Sequence, residues 1–221
     1  GIIPSFEEFY PYGYRPNGIY IPRFRNLSGD EGLGFSRGYG YQGGAGRIGW
    51  RERIKKPGFG ADFKRELRIP GPWYMSLGGF GEILPYAENT MRLHPKKRDR
   101  FGIPQVTFRF EFGENERRHR KDLVEQGVKM LEAAGASQIQ SYNEEMIGGA
   151  AIHEMGTARM GQDPRESVVN EHNQVHAADN VFVTDGACMT SASCVNPSLT
   201  YMALTARAAD YAVKRLETGD I

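Results

Sequence analysis

Pro104-Gln105-Val106-Thr107-Phe108-Arg109-Phe110-Glu111-Phe112 sets Val106, Phe108, Phe110 and Phe112 in alternation with Thr107, Arg109 and Glu111. A two-residue period places successive side chains on opposite faces, so the stretch predicts a β-strand with four apolar side chains on one sheet face. Directly after it, an acidic start at Glu114 and Glu116, apolar residues at Leu123, Val124, Val128 and Leu131, and an exit at Gly135 predict an amphipathic helix. Further on, Val181-Phe182-Val183-Thr184 is a short apolar run that ends in Asp185-Gly186. Leu199, Met202, Ala203, Ala206, Ala209 and Val213 form a second helical stripe, mostly of small residues that permit close packing. Upstream, the first hundred residues are rich in Gly, Pro and aromatics, with short apolar runs such as Gly18-Ile19-Tyr20-Ile21-Pro22. They read as brief strands and long loops without a long helix. The order of strands, helix, strands, then one strand and a closing helix predicts an α+β fold with an α/β tail.

The 221 residues make one large domain or two small ones, enough for a sizeable core. Lys and Arg number 28 against 27 Asp and Glu, a formal charge of +1, so the whole chain carries no electrostatic lure for nucleic acid or an anionic membrane. No apolar run reaches the roughly 20 residues that span a bilayer. Gly1-Ile2-Ile3-Pro4 has neither the basic flank nor the apolar stretch of a secretory signal, and the lack of an initiator Met predicts that the true N-terminus lies upstream. Cys188 and Cys194 are too few for a disulfide framework; with no basic partner nearby in sequence they read as packed thiols. The 28 glycines require much of the chain to turn or to approach a neighbour closely.

Several motifs carry competing readings. Gly38, Gly40 and Gly43 spell G-x-G-x-x-G, with Asp62 following at about the separation of a dinucleotide fingerprint. That fingerprint needs a strand before it and a helix after it, so that helix N-H groups face pyrophosphate. Gly34-Phe35-Ser36-Arg37 and Gly44-Ala45-Gly46 signal neither, and a glycine-rich loop or bulged hairpin is the preferred reading. His153-Glu154-Met155-Gly156-Thr157 starts like the zinc signature H-E-x-x-H, but Thr157 stands where the second His must be. His172 and His176 sit in a polar stretch without helical pattern, so no metal site is assigned. His153 itself reads either as a hydrogen-bonded structural histidine or, flanked by Ala150-Ala151-Ile152, as a general base kept neutral by burial. Asn196-Pro197-Ser198 fits a helix start with Asn as cap and Pro in the first turn, and such a start also presents partial positive charge to a ligand. The aromatic group Tyr10, Tyr12, Tyr14, Tyr39, Tyr41, Trp50, Trp73 and Tyr74 suits sugar stacking or simple core packing.

Three ordered blocks resemble the C-terminal signature of the glucose-methanol-choline (GMC) family of flavin-dependent oxidoreductases. They are His153-Glu154-Met155-Gly156-Thr157-Ala158-Arg159-Met160-Gly161, then Asn180-Val181-Phe182-Val183-Thr184-Asp185-Gly186-Ala187, then Asn196-Pro197-Ser198-Leu199-Thr200 running into Ala203-Leu204-Thr205-Ala206-Arg207-Ala208-Ala209-Asp210. Weaker likeness runs through residues 20–26, 85–89 and 101–104, and the whole is most similar to the bacterial branch acting on sugars and sugar acids. The resemblance implies an antiparallel sheet with packed helices over residues 1–178, forming a substrate-binding domain, and a returning strand and helix of the flavin domain over residues 179–221. It implies His153 and Asn196 as the active-site pair. It also implies flavin contacts from Asp185, Gly186 and Ala187 and from Pro197, Ser198 and Leu199. Family members are more than twice as long and carry their G-x-G-x-x-G turn in an N-terminal flavin half that is absent here. On this view Gly38, Gly40 and Gly43 are a decoy.

The implied activity is oxidation of a CH-OH group of a sugar or alcohol by hydride transfer to FAD, the fragment alone being inactive and unable to hold FAD. The implied partners are a small sugar or alcohol substrate, the missing flavin domain and an unassigned electron acceptor, with neither nucleic acid nor metal. An export signal would lie upstream of residue 1, so no compartment is assigned. Two rival readings are a carbohydrate-binding module without chemistry, resting on the aromatics, and a metal-dependent hydrolase, resting on His153, His172 and His176.

Overall fold

The computed structural model describes residues 1–4, 18–28 and 32–221; Tyr10, Tyr12 and Tyr14 of the aromatic group lie outside them. In chain order the elements are β1 (Ile2–Ile3), β2 (Gly18–Ile21), β3 (Tyr39–Arg47), α1 (Trp50–Arg53), α2 (Gly60–Arg68), β4 (Trp73–Gly81), β5 (Thr90–Arg98), β6 (Pro104–Arg109), α3 (Glu114–Ala133), β7 (Gln174–Val175), β8 (Ala178–Phe182) and α4 (Ser198–Thr218). The fold is α+β, with antiparallel sheets and helices. It divides into two compact units, Gly1–Gly81 with Gly113–Glu144, and Glu82–Phe112 with Glu145–Ile221.

In the first unit an antiparallel sheet of order β1-β4-β3-β2 packs against α3. The packing follows from a size alternation across two strands: Tyr39 pairs with Gly81 and Tyr41 with Gly79. Beside each ring the missing side chain leaves a hollow, filled one helical turn apart by His119 over Gly81 and Leu123 over Gly79. Tyr39 and Tyr41 are fully buried, and their hydroxyls donate to Asp122 and to the Leu123 carbonyl. Asp122 also accepts from Arg25 at 2.9 and 3.1 Å. Burial pushes both phenols up, Tyr41 to about 12, so both remain protonated donors at neutral pH. The helix runs as its pattern predicts: Glu116 accepts from the Gly113 N-H at 2.9 Å at the start, and Gly135 takes a left-handed φ of 77° beyond the end.

Gly38, Gly40 and Gly43 differ from expectation. Gly40 and Gly43 lie inside β3, Gly38 precedes it, and Tyr39–Arg47 pairs without interruption with Trp73–Gly81. The stretch is neither a loop nor a bulge. The glycines allow close strand approach, since a Cβ at Gly43 would collide with the Ser76 carbonyl.

In the second unit β5 and β6 form an antiparallel pair. The strand predicted to reach Phe112 stops at Arg109. The Asn89 side chain intervenes: its amide donates to the Glu111 carbonyl at 3.1 Å and its oxygen accepts from the Glu111 N-H at 2.9 Å, replacing a ladder rung. Phe110 and Phe112 then meet edge to face at 4.9 Å, and Phe110 covers Gly148. Val106 and Phe108 share an exposed face with Met91 and Leu93.

The closing helix also turns out differently from its sequence pattern. Ala208 is buried, and Tyr211 stacks on His172 at 4.0 Å, whereas Leu199, Met202 and Val213 of the predicted packing stripe are exposed. The helix buries the face that carries its tyrosines, and the small-residue stripe looks outward. Among the described residues no helix is long and apolar enough to cross a membrane.

Candidate functional site

His153 lies in irregular chain, half-buried, between exposed Ile152 and Glu154. Ile152 has φ +55°, a left-handed conformation that a β-branched residue adopts only under strain of about 1–3 kcal/mol. This strain sits immediately before the imidazole. Two residues on, Met155 accepts a hydrogen bond from the Tyr201 hydroxyl at 3.3 Å. The chain from Ala158 to Met160 then runs beside the loop after β8, with the Ala158 N-H donating to the Ala187 carbonyl at 2.9 Å and the Met160 N-H to Cys188 at 2.8 Å.

Asp185 opens that loop as the cap of a 3-10 turn, Gly186–Cys188, accepting from the Ala187 N-H at 2.9 Å. Gly186 lets two side-chain tips approach its backbone closely. A Cβ there would lie 2.7 Å from the Met155 sulfur and 2.8 Å from the Tyr201 hydroxyl. Met155, Gly186 and Tyr201 therefore interlock, and they tie the His153 segment to the first turn of α4. Ser191 donates to Glu82, holding the next stretch of the loop.

Asn196 is not the helix cap expected from its sequence neighbourhood. Pro197 takes that position, its carbonyl accepting from the Tyr201 N-H at 3.1 Å, and no side chain caps the helix. Proline can stand at the boundary because the first amides of a helix have no intrahelical partner. Asn196, Ser198 and Leu199 are exposed and Pro197 is buried. Among the described residues His153 and Asn196 do not hydrogen-bond to each other, and what brings their segments together is the Met155-Gly186-Tyr201 contact. Met155 and Tyr201 were not singled out from the sequence. Ser198-Leu199-Thr200-Tyr201 carries three hydroxyl side chains in a row of four, so no local signal marked Tyr201 out.

Cys188 and Cys194 are buried free thiols, and burial, the largest influence, pushes Cys188 up, the opposite of an activated nucleophile. His176 shares a hydrogen bond of 2.9 Å with Ser167 and lies 3.2 Å from the Gly161 carbonyl. Buried Asn173, at φ 65°, donates to the Val183 carbonyl at 2.8 Å and fixes the exit of β8. Among the described residues no three His, Cys, Asp or Glu side chains gather as metal ligands would.

The family model of the GMC oxidoreductases matches residues 85–205. The chain is 36% identical over 139 residues to 2-methyl-1,2-propanediol dehydrogenase of Mycolicibacterium austroafricanum, covering 62% of this chain and 24% of the relative. It is 31% identical over 143 residues to the fructose dehydrogenase large subunit of Gluconobacter japonicus, covering 62% and 25%. It is 29% identical over 181 residues to pyranose 2-oxidase of Tricholoma matsutake, covering 76% and 31%. The chain thus spans between 24% and 31% of the length of these relatives.

Proposed function

We propose that this chain, which belongs to the GMC oxidoreductase family, supplies the substrate side and the proton-handling residues of a flavin-dependent enzyme that oxidises a CH-OH group of a sugar or related alcohol. The observation that carries this reading is the interlock of Met155, Gly186 and Tyr201, which joins the His153 segment to the start of α4, where Asn196 stands. Relatives named as dehydrogenases and oxidases of sugars and a diol support the substrate class.

Oxidation of an alcohol requires its hydroxyl proton to leave as hydride departs from the same carbon. His153 accepts that proton as a neutral imidazole. Asn196 cannot take a proton; its amide N-H donates to the substrate oxygen and stabilises alkoxide-like charge as it develops. Freed from capping, its side chain is available for this task. Bound FAD supplies the hydride acceptor. Asp185, Gly186, Ala187, Pro197, Ser198 and Leu199 would border its ring system. The uncapped start of α4, with Ser198 and Leu199 exposed, leaves backbone N-H donors and the positive helix end for the electron-rich edge of that ring. Residues 179–221 would then pack with the flavin-binding half, and the outward stripe of Leu199, Met202 and Val213 supplies an apolar surface for it.

Replacing Asn196 by alanine in a flavin-loaded protein that joins this chain to a flavin-binding half should lower kcat about a hundredfold while KM moves little, as for loss of a donor used mainly in the transition state. Stopped-flow measurement of flavin reduction checks this. An unchanged rate removes Asn196 from the mechanism.

The residues present suit the ring edge of FAD and not its phosphates, because the G-x-G-x-x-G glycines are engaged in and beside β3, which runs on to Arg47 before the short helix α1 begins at Trp50, so they do not lead directly into a helix N-terminus. The 221-residue chain should therefore purify colourless and take up no stoichiometric FAD. A yellow protein with one flavin per chain, measured by absorbance after gel filtration, would overturn this.

A further inference from the structure

The charge balance of +1 for the whole chain conceals a concentrated exception. Residues 90–109, which make the β5–β6 hairpin, carry six Lys and Arg against one Asp. The register of the pair determines how two of these charges are arranged. Thr90 pairs with Arg109 and Arg92 with Thr107, so the four side chains occupy one face, opposite the apolar face of Met91, Leu93, Val106 and Phe108. Arg92 and Arg109 are diagonal neighbours, about 7 Å apart at the backbone, within reach of a common ligand for long side chains. They line a depression of about 350 Å³ together with Thr90, Thr107, Ala87 and Glu88. Arg109 lies 4.0 Å from Glu111, but both side chains are mostly exposed, and so loose a pair leaves the guanidinium available.

We propose that this face binds the phosphate monoester group of a small hydroxylated ligand. The donor set selects the chemistry. A planar carboxylate is saturated by one guanidinium fork, whereas a phosphate monoester offers three terminal oxygens that two forks and two hydroxyls from opposite strands can share. Glu88, which also lines the depression, can accept from a ligand hydroxyl, and its charge partly offsets the attraction of the two arginines for the phosphate. Lys96, Lys97, Arg98 and Arg100 toward the hairpin tip add a positive field that speeds the approach of anions at low ionic strength. The site is independent of the oxidoreductase reading, since it uses none of the residues assigned there.

The test is a titration of the ¹⁵N-labelled chain with glucose 6-phosphate, inorganic phosphate, glucose and sodium chloride at matched ionic strength, read from backbone amide shifts. Saturable shifts centred on Thr90, Arg92, Thr107 and Arg109 are expected with glucose 6-phosphate, weaker ones with inorganic phosphate, and none with glucose or salt. Arg92→Gln and Arg109→Gln should each weaken binding about tenfold, in keeping with loss of a charge-assisted pair. Lys96→Gln with Lys97→Gln should change it less than about twofold, because diffuse surface charge is screened. Arg92→Lys keeps the charge without the fork and should lie between wild type and Arg92→Gln, while the amide spectrum itself reports that each variant is folded. Equal losses in the lysine and arginine variants, or no saturable shift on this face, would overturn the proposal. Co-sedimentation with phosphatidate-containing vesicles in place of binding to the soluble ester would overturn it in favour of a lipid headgroup.

Discussion

His153→Ala, made in a flavin-loaded protein that joins this chain to a flavin-binding half, should lower the rate of flavin reduction by substrate about a thousandfold, with a much smaller change in substrate affinity. The physical reason is the proton. Hydride loss from an alcohol carbon that still holds its hydroxyl proton builds positive charge on the carbonyl oxygen, and a positioned base removes that charge as it forms. Without the imidazole the proton passes to water or buffer, so the residual rate of the variant should rise with pH and with added imidazole. Those two responses separate a proton acceptor from a residue that only shapes the pocket. Flavin reduction at the wild-type rate in His153→Ala would end the assignment.

Gly43→Ala should destabilise the first unit by about 2–3 kcal/mol, the usual cost of forcing atoms into filled space. The added carbon meets the Ser76 carbonyl, a backbone atom that cannot rotate away as a side-chain tip would, so β3 and β4 must separate locally. Gly78→Ala is the matched control on β4. There the new carbon finds the Gln42 carbonyl at 3.5 Å and the Phe80 ring at 3.8 Å, ordinary contact distances, and stability should change by less than about 0.5 kcal/mol. Urea unfolding followed by far-ultraviolet circular dichroism compares the two. Equal stability of Gly43→Ala and wild type would mean that the glycine is not kept for strand approach, and would reopen the nucleotide reading of its motif.

The two motifs that looked most like chemistry fared differently, for a reason rooted in their surroundings. G-x-G-x-x-G is a statement about backbone freedom; the flanking residues argued against a phosphate turn, but only the partner strand, with Ser76 and Leu77 against Gly43, shows that the freedom serves a crowded sheet rather than a loop or bulge. The H-E-x-x-T segment carried an independent cue, since Gly156 weakens a helix, and the segment is irregular in the structure. Asn196 shows a third case. Its neighbourhood satisfied the rules for a helix cap, yet the helix starts one residue later, a shift within the one or two residues by which helix boundaries vary.

Periodicity by itself determined the long helix Glu114–Ala133, a strand at Val106–Arg109 and the helical register of Ser198–Thr218, because a repeat of two or 3.6 residues is a local property of the chain. The ordered blocks at 153–161, 180–187 and 196–210 likewise carried family membership without coordinates. Only the tertiary structure decided which face of α4 is buried, where the Phe108–Phe112 run leaves the sheet, and that Gly186 and Tyr201 meet Met155, Tyr201 from 46 residues away. Each of those outcomes depends on atoms that meet across long separations, and alternation along the chain holds no information about what will stand opposite.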